Sequence, residues 1–399
     1  MAEQITPFSK EELLPKPEML EIEKIKDELF IGIPKEAHFE EKRVCLTPNA
    51  VAALTSNGHR IIVESGAGNG SNFTDHQYSE AGAKIVYGPD DAFACNIILK
   101  IEPPSLDEIK MINPQSILFS AMQLKTQKKD FFKALAKKRI TAIAFDYIQD
   151  SHGIFPIVKS LSEIAGIASV LIASELMNNC GEGNGILLGN IGGVPPSKIV
   201  ILGAGTVGEF AARSAMGLGA SIEVFDNSLT KLRSLQHKLG YPVATSTIQP
   251  QTLKKSISEC DVVIGALRGD SRAPVVVTED MVKNMKLGSI IVDVSIDNGG
   301  CFETSEVTSH SNPTFKKHEV IHYCVPNIPS RYSRTASVSI SNIFTPYLLN
   351  IGEKGGLENA ARFDNSLRKG MYFYHGILTN KSISDWFSLP YTDINLLIL

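Results

Sequence analysis

The chain is short of the features that mark most specialised proteins, and each shortage narrows what it can be. Its 399 residues hold one tryptophan and six cysteines, at positions 45, 95, 180, 260, 301 and 324, none in C-x-x-C spacing. Scattered thiols suit a reducing, cytoplasmic compartment better than a disulfide frame, and they form no zinc-ligand pattern, so no metal is expected. No continuous apolar run reaches the ~18 residues that read as a bilayer span, so direct membrane insertion is not expected. Met1 to Phe30 carries repeated Glu and Lys and no apolar signal core, which argues against export. The formal net charge is only −4, which gives no electrostatic reason for a nucleic-acid or anionic-membrane partner. There is no G-x-S-x-G elbow, no P-loop and no H-E-x-x-H helix. Histidine is also poorly placed for catalysis. His322 falls inside an apolar strand, His59 adjoins a glycine turn, His237 lies on a helix and His152 in a Gly-containing loop; structural or solvated roles fit each better.

What is present is a globular composition, 43% hydrophobic and 21% charged, at a length that favours two domains. The most informative stretch is Lys198 to Asp226. Ile199 to Leu202 is apolar and mostly β-branched, as a strand buried on both faces should be. Gly203, Gly205 and Gly208 follow in G-x-G-x-x-G spacing. In the dinucleotide fold these serve a tight turn, close approach to a pyrophosphate and close helix–strand packing. The helix opening at Thr206 and Val207 would aim unpaired N–H groups at the phosphates. A second strand, Ala220 to Phe225, ends at Asp226, close to the ~20-residue spacing at which an acid meets the adenosine ribose. A carboxylate there repels a 2′-phosphate, so the expected cofactor is NAD rather than NADP. Lys231, in the helix that follows, joins these residues as cofactor-binding.

Around this unit strands and helical segments alternate. Strands are expected at Leu29 to Ile33, Arg60 to Glu64, Lys84 to Tyr87, Asn96 to Lys100, Ser116 to Ser120 and Thr141 to Phe145. The fold class is α/β, with parallel sheets carrying helices on both faces. A long apolar helix, Leu161 to Asn179, leads into a glycine-rich joint. After Val325 the pattern becomes mainly helical. Gly66 to Ser71 is a second glycine-rich turn with the wrong spacing for a fingerprint; it reads as a surface turn or a substrate-side loop, the former fitting better.

Ligands of open parallel sheets bind beyond the carboxyl ends of strands, and four groups of residues lie there. Arg43 could grip a carboxylate in bidentate fashion, although on position alone a surface arginine fits better. Lys100 and Glu102 end one strand and share a face; the lysine could hold a carboxylate or titrate as a base, and a solvated pair fits equally well. Asp297 precedes Asn298-Gly299-Gly300 in a turn close to a strand end. Asn327, between Pro326 and Pro329, carries an amide able to orient nicotinamide. The last two are weak signals taken singly.

Taken together, several blocks resemble the family of alanine dehydrogenases and the NAD-binding subunit of proton-pumping transhydrogenase. They are Ile31-Gly-Ile-Pro-Lys-Glu36, Lys42-Arg-Val-Cys-Leu-Thr-Pro48, Glu64 to Ser71, Ser162 to Gly166, Gly203 to Gly208 and Val292 to Glu303. The last of these, with Tyr323 to Pro329, looks closer to alanine dehydrogenase. The resemblance implies two doubly wound domains, a Rossmann NAD-binding domain (159–325) inserted into a discontinuous substrate domain (29–158 and 326–399), behind an N-terminal arm (1–28). It implies oxidative deamination of L-alanine to pyruvate and ammonia with NAD, on small amino acids and 2-oxo acids, by a homo-oligomer such as a hexamer. By the same resemblance Arg43 would hold the substrate carboxylate, and Asp297 would assist at the amine or water.

Two positions depart from the family pattern. Where the family has a second lysine two residues beyond the first, here Lys100, this chain has Glu102. Where it has a catalytic histidine, this chain has Gln123, which can hydrogen-bond a carbonyl but exchanges no proton near neutral pH. Three functions therefore stay open: an alanine dehydrogenase with atypical acid/base positions, a soluble transhydrogenase-type NAD(H)-binding subunit, and a catalytically altered NAD-binding homologue. Asp297 favours the first.

Overall fold

The computed structural model describes residues 27–269 and 272–398; the arm expected at 1–28 lies outside them but for its last two residues. Six strands open the chain: β1 (Phe30–Ile33), β2 (Arg60–Glu64), β3 (Lys84–Val86), β4 (Ile97–Leu99), β5 (Ile117–Ser120) and β6 (Thr141–Ala144). Seven follow: β7 (Lys198–Leu202), β8 (Ser221–Phe225), β9 (Ala244–Ser246), β10 (Val262–Gly265), β11 (Ile290–Asp293), β12 (Thr314–Lys317) and β13 (Val320–Tyr323). The last two are β14 (Met371–Tyr374) and β15 (Ile377–Leu378). Hydrogen bonding sorts them into two sheets, ordered β15-β14-β6-β5-β4-β1-β2-β3 and β12-β13-β11-β10-β7-β8-β9.

β1 to β6 pair in parallel, and central strands such as β4 and β6 are buried throughout. Such strands must be apolar on both faces, which is why they read as continuous Ile/Leu/Ala runs. The second sheet has the strand order of the dinucleotide fold, with β12 added antiparallel at one edge. It is a Rossmann-like sheet set within a larger α/β arrangement, as the sequence leads one to expect.

Two elements correct that reading. The segment after Val325 is mainly helical, as expected, but adds an unexpected hairpin, in which β14 pairs antiparallel with β6 and turns back through β15. A wholly buried four-residue strand has no polar/apolar alternation to betray it. The long helix runs Pro156–Leu176, starting earlier than expected, with Pro156 in its first turn where a missing N–H costs nothing. With a mean hydropathy of 1.6 over its best window, this is the one helix among the described residues long and apolar enough to cross a membrane. It packs along helix Thr206–Gly217, so closely that a Cβ on Gly166 would lie 2.5 Å from the Val207 carbonyl oxygen.

After β13 the chain returns to the first sheet through helix Ser333–Glu353. Serines leading into and along this helix stitch down the loop after β1. The Ser330, Ser337 and Ser341 hydroxyls accept the backbone N–H groups of Lys42, Val44 and Thr47 at 3.1, 2.9 and 3.0 Å. Ser333 Oγ donates to the Gly70 carbonyl at 2.7 Å. Ser71 Oγ donates to the Lys42 carbonyl at 2.8 Å, so the Gly66–Ser71 turn backs the same loop.

The fingerprint turn is held by close contact. Gly203 has φ +117°, a conformation that L side chains rarely adopt, and a Cβ on Gly208 would sit 1.8 Å from the Gly203 carbonyl oxygen. Gly208→Ala should therefore force the helix off the sheet at a cost of ~1–3 kcal/mol, read as a lower melting temperature in thermal unfolding; an unchanged melting temperature would contradict the packing described.

Candidate active site

Strand order reverses at one place in each sheet, between β1 and β4 in the first and between β7 and β10 in the second. Loops leaving neighbouring strands diverge there and open a crevice at the carboxyl ends. The sequence-expected residues gather around these two points.

At the second crevice Gly205 precedes helix Thr206–Gly217, whose N-terminus no side chain caps. A Cβ on Gly205 would meet nothing within 4 Å, so the turn presents an open backbone surface. Thr206 and Val207 contribute the first helical N–H groups, which have no intrahelical partner. Asp226 braces this turn: its Oδ2 accepts the Ala204 N–H at 2.9 Å and its Oδ1 the Ser228 N–H at 2.8 Å. Each oxygen keeps a further lone pair for a ribose hydroxyl. Lys231 stands exposed in the next helix, its backbone N–H on Ser228 Oγ. This donor set fits an adenine dinucleotide.

At the first crevice Arg43 is no surface arginine; it is buried, 6% exposed. Glu41 grips one edge of its guanidinium, with Nε–Oε1 at 2.7 Å and Nη2–Oε2 at 2.5 Å. Burial acts to lower the Arg43 pKa, but the Glu41 charge and hydrogen bonds, with Glu36 and Glu102 behind them, raise it. The Nη1 edge remains for a ligand. Asn327 Nδ2 also donates to Glu41 Oε2, at 3.0 Å, and the Asn327 backbone N–H donates to Asp297 Oδ1 at 2.9 Å. Asn327 manages both by adopting φ +55°. An unbroken line thus runs from Arg43 through Glu41 and Asn327 to Asp297. Asp297 is open to solvent on one side. Surrounding protein still raises its pKa, against the Asn327 N–H and the Arg43 charge.

Lys100 differs from the expectation of an available strand-end amine. It is 1% exposed and ion-paired with Glu36 at 3.2 Å and Glu108 at 3.0 Å. Burial lowers its pKa, but the two carboxylates outweigh that and raise it, which favours the protonated amine. Glu36 also accepts the backbone N–H groups of Ile101 (2.6 Å) and Glu102 (3.4 Å), which fixes the turn after β4. Burial lifts the Glu36 pKa to about 7 despite Lys100. The Glu102 carboxylate is half-buried and has no ion pair or hydrogen bond to another described residue. Burial and the nearby Glu41 charge raise its pKa.

Gln123 sits exposed in the loop after β5, at φ +44°, its side chain unbonded to other described residues. Its contacts join it to neither Lys100 nor Asp297. Two groups escaped the sequence reading. Asp146 follows β6, accepts the Met122 N–H at 3.2 Å beside Gln123, and is pushed up by burial to about 6. Its place just past a strand end was the available signal. His310 lies near the Asn327 backbone, and its pKa is lowered chiefly by burial; no sequence feature marked it. His322 is structural as expected, buried against Thr304 Oγ1 at 2.8 Å.

Comparison with known proteins places this architecture. Residues 32–165 match the family described as alanine dehydrogenase/PNT, N-terminal domain, and residues 169–381 its C-terminal domain. An alanine dehydrogenase of Staphylococcus epidermidis is 40% identical over 366 residues, covering 91% of this chain and 98% of that protein. Alanine dehydrogenase 2 of Staphylococcus aureus is 37% identical over 366 residues, with the same coverage of both chains. Among solved structures, an L-alanine dehydrogenase superposes with a TM-score of 0.85 at 34% identity, over 90% of this chain and 99% of that one. A transhydrogenase from Sinorhizobium meliloti shares the fold, with a TM-score of 0.75 at 24% identity over 88% of this chain and 98% of that one.

The Glu36 carboxyl generates a pH prediction. The folded protein holds a proton there from about pH 7 downward, whereas the unfolded chain takes one only near 4.5. The stabilisation is complete below the lower value and is lost as pH rises through the higher one. Melting temperatures taken from pH 5 to 8 should fall more steeply for the wild type than for Glu36→Gln; parallel curves would remove Glu36 as the titrating group.

Proposed function

We propose, from the premise that the chain belongs to the alanine dehydrogenase/PNT family, that it is an NAD-dependent amino-acid dehydrogenase working by alanine dehydrogenase chemistry. The observation that carries this reading is the line Arg43–Glu41–Asn327–Asp297, which links a buried guanidinium with one open edge to a carboxylate of raised pKa. In the overall reaction L-alanine, water and NAD give pyruvate, ammonium, NADH and a proton. The Cα hydrogen leaves as hydride, the amine sheds a proton, water adds across the carbon–nitrogen double bond, and ammonia departs.

NAD, when bound, supplies the hydride acceptor. Gly203, Gly205, Thr206, Val207 and Gly208 would hold its phosphates, with Asp226 and Lys231 toward the adenosine and Asn327 toward the nicotinamide. Asp226 favours NAD over NADP by repelling a 2′-phosphate. Arg43 offers its Nη1 edge to the substrate carboxylate, pre-aligned because Glu41 already fixes the other edge. Lys100 adds a protonated cation behind it. Asp297 takes the proton from the amine and handles that of the attacking water; its raised pKa brings it closer to the range in which proton exchange is efficient. Gln123 can orient the substrate carbonyl by hydrogen bonding but moves no proton. The six free thiols suit a cytoplasmic setting, and a homo-oligomer is the proposed assembly.

A transhydrogenase-type NAD(H)-binding subunit is the second reading, favoured by one observation: a glutamine, not an acid or base, stands at position 123. It leaves the placement of Asp297 without a purpose. Purified protein should reduce NAD with an amino acid and oxidise NADH with a 2-oxo acid plus ammonium. Asp297→Asn should lower kcat by about 10²–10⁴-fold while NADH binding, followed by fluorescence, is kept. Tight NADH binding without turnover of any amino acid would sink the dehydrogenase reading.

A further inference from the structure

The charges around the first crevice do not balance. Arg43 is matched by Glu41 and Lys100 by Glu108, while Glu36, also beside Lys100, is lifted by burial to about 7 and can carry its own proton. Each cation therefore already has a partner inside the protein, and only the Nη1 edge of Arg43 stays open to a ligand. Glu102 is left over. Its backbone N–H is tied to Glu36, so the turn that carries it is fixed. Its carboxylate feels Glu41, His38, Arg43 and Lys100, yet forms no ion pair or hydrogen bond with another described residue.

An ordinary α-amino acid cannot use this group well. Its carboxylate goes to the open Nη1 edge of Arg43 and its α-ammonium to Asp297, and Glu102, at the same strand end as Lys100 and within the field of Arg43, is then left without a counter-ion. A half-buried carboxylate without a partner is an unfavourable arrangement, and a ligand that supplies a cation removes the penalty. We propose that Glu102 is a specificity-determining residue that selects amino acids bearing a second cationic group on the side chain, the diamino and guanidino acids, over alanine. The inference rests on the amino-acid dehydrogenase reading and names its substrate class. Glu102 binds the side-chain ammonium, while Arg43 and Asp297 keep the roles assigned above.

Calorimetry on the NADH-loaded protein tests this with two ligands on one carbon skeleton: L-ornithine and L-norvaline, which lacks the terminal ammonium. Ornithine should bind roughly 10–100-fold more tightly, as expected for a hydrogen-bonded charge pair. Glu102→Gln should bring the ratio close to one, and Glu102→Lys should reverse it. A wild-type ratio near or below one, no binding of either ligand, or a ratio unchanged in Glu102→Gln would each overturn the proposal. The wild-type ratio decides even if a variant fails to fold. Turnover separates this failure from that of the underlying reading. Selective ornithine binding with no NAD reduction by any amino acid defeats the dehydrogenase and leaves the selectivity standing. Equal binding and turnover of both ligands defeats the selectivity and leaves the dehydrogenase standing.

Discussion

The first crevice depends on one buried ion pair. Removing Glu41 and Arg43 from water is costly, and such pairs persist only when nearly every polar atom finds a partner. Here the carboxylate meets the Arg43 backbone N–H, two guanidinium nitrogens and the Asn327 amide. The pair is therefore less a source of stability than a fixed point. The free edge of Arg43, the left-handed turn at Asn327 and, through its N–H, the position of Asp297 are all set from it.

A second buried set, Lys100 with Glu36 and Glu108, plays the same part for the neighbouring strand end. It fixes the turn that carries Glu102 and places a permanent cation below the crevice. The serines of the long return helix then hold the intervening loop by its backbone rather than by its side chains.

Much of this could be read in the sequence, for definite reasons. The fingerprint, its strands and Asp226 form a local pattern whose parts are near one another in the chain, and the Rossmann-like sheet follows from them. The strands of the first sheet were legible because each is a short apolar run between turn signals. β14 was hidden because it is fully buried and joins from the far end of the chain. The burial of Lys100 was hidden for a related reason. Glu36 lies in the loop after β1 and Glu108 in the first turn of the helix Leu106–Met111, and nothing local says that they converge. Arg43 looked like a surface residue because its burial, together with Glu41, depends on Asn327 and Ser330 from the far end of the chain. Charge partnerships are made by topology, and a single stretch of chain does not carry them.

The helix that pins the loop after β1 begins at Ser333, and β14, which extends the first sheet beyond β6, begins at Met371. A ribosome therefore releases β1 to β6 long before their sheet can be completed. In the interval the loop after β1 lacks the hydroxyls that accept its N–H groups, and β6 is an exposed edge able to pair with other chains. The nucleotide-binding sheet, whose strands are continuous in sequence, has no such wait. During synthesis the molecule passes through a stage with a finished Rossmann-like sheet and an unfinished first sheet. That stage, rather than the mature fold, is where it is most exposed to misassembly.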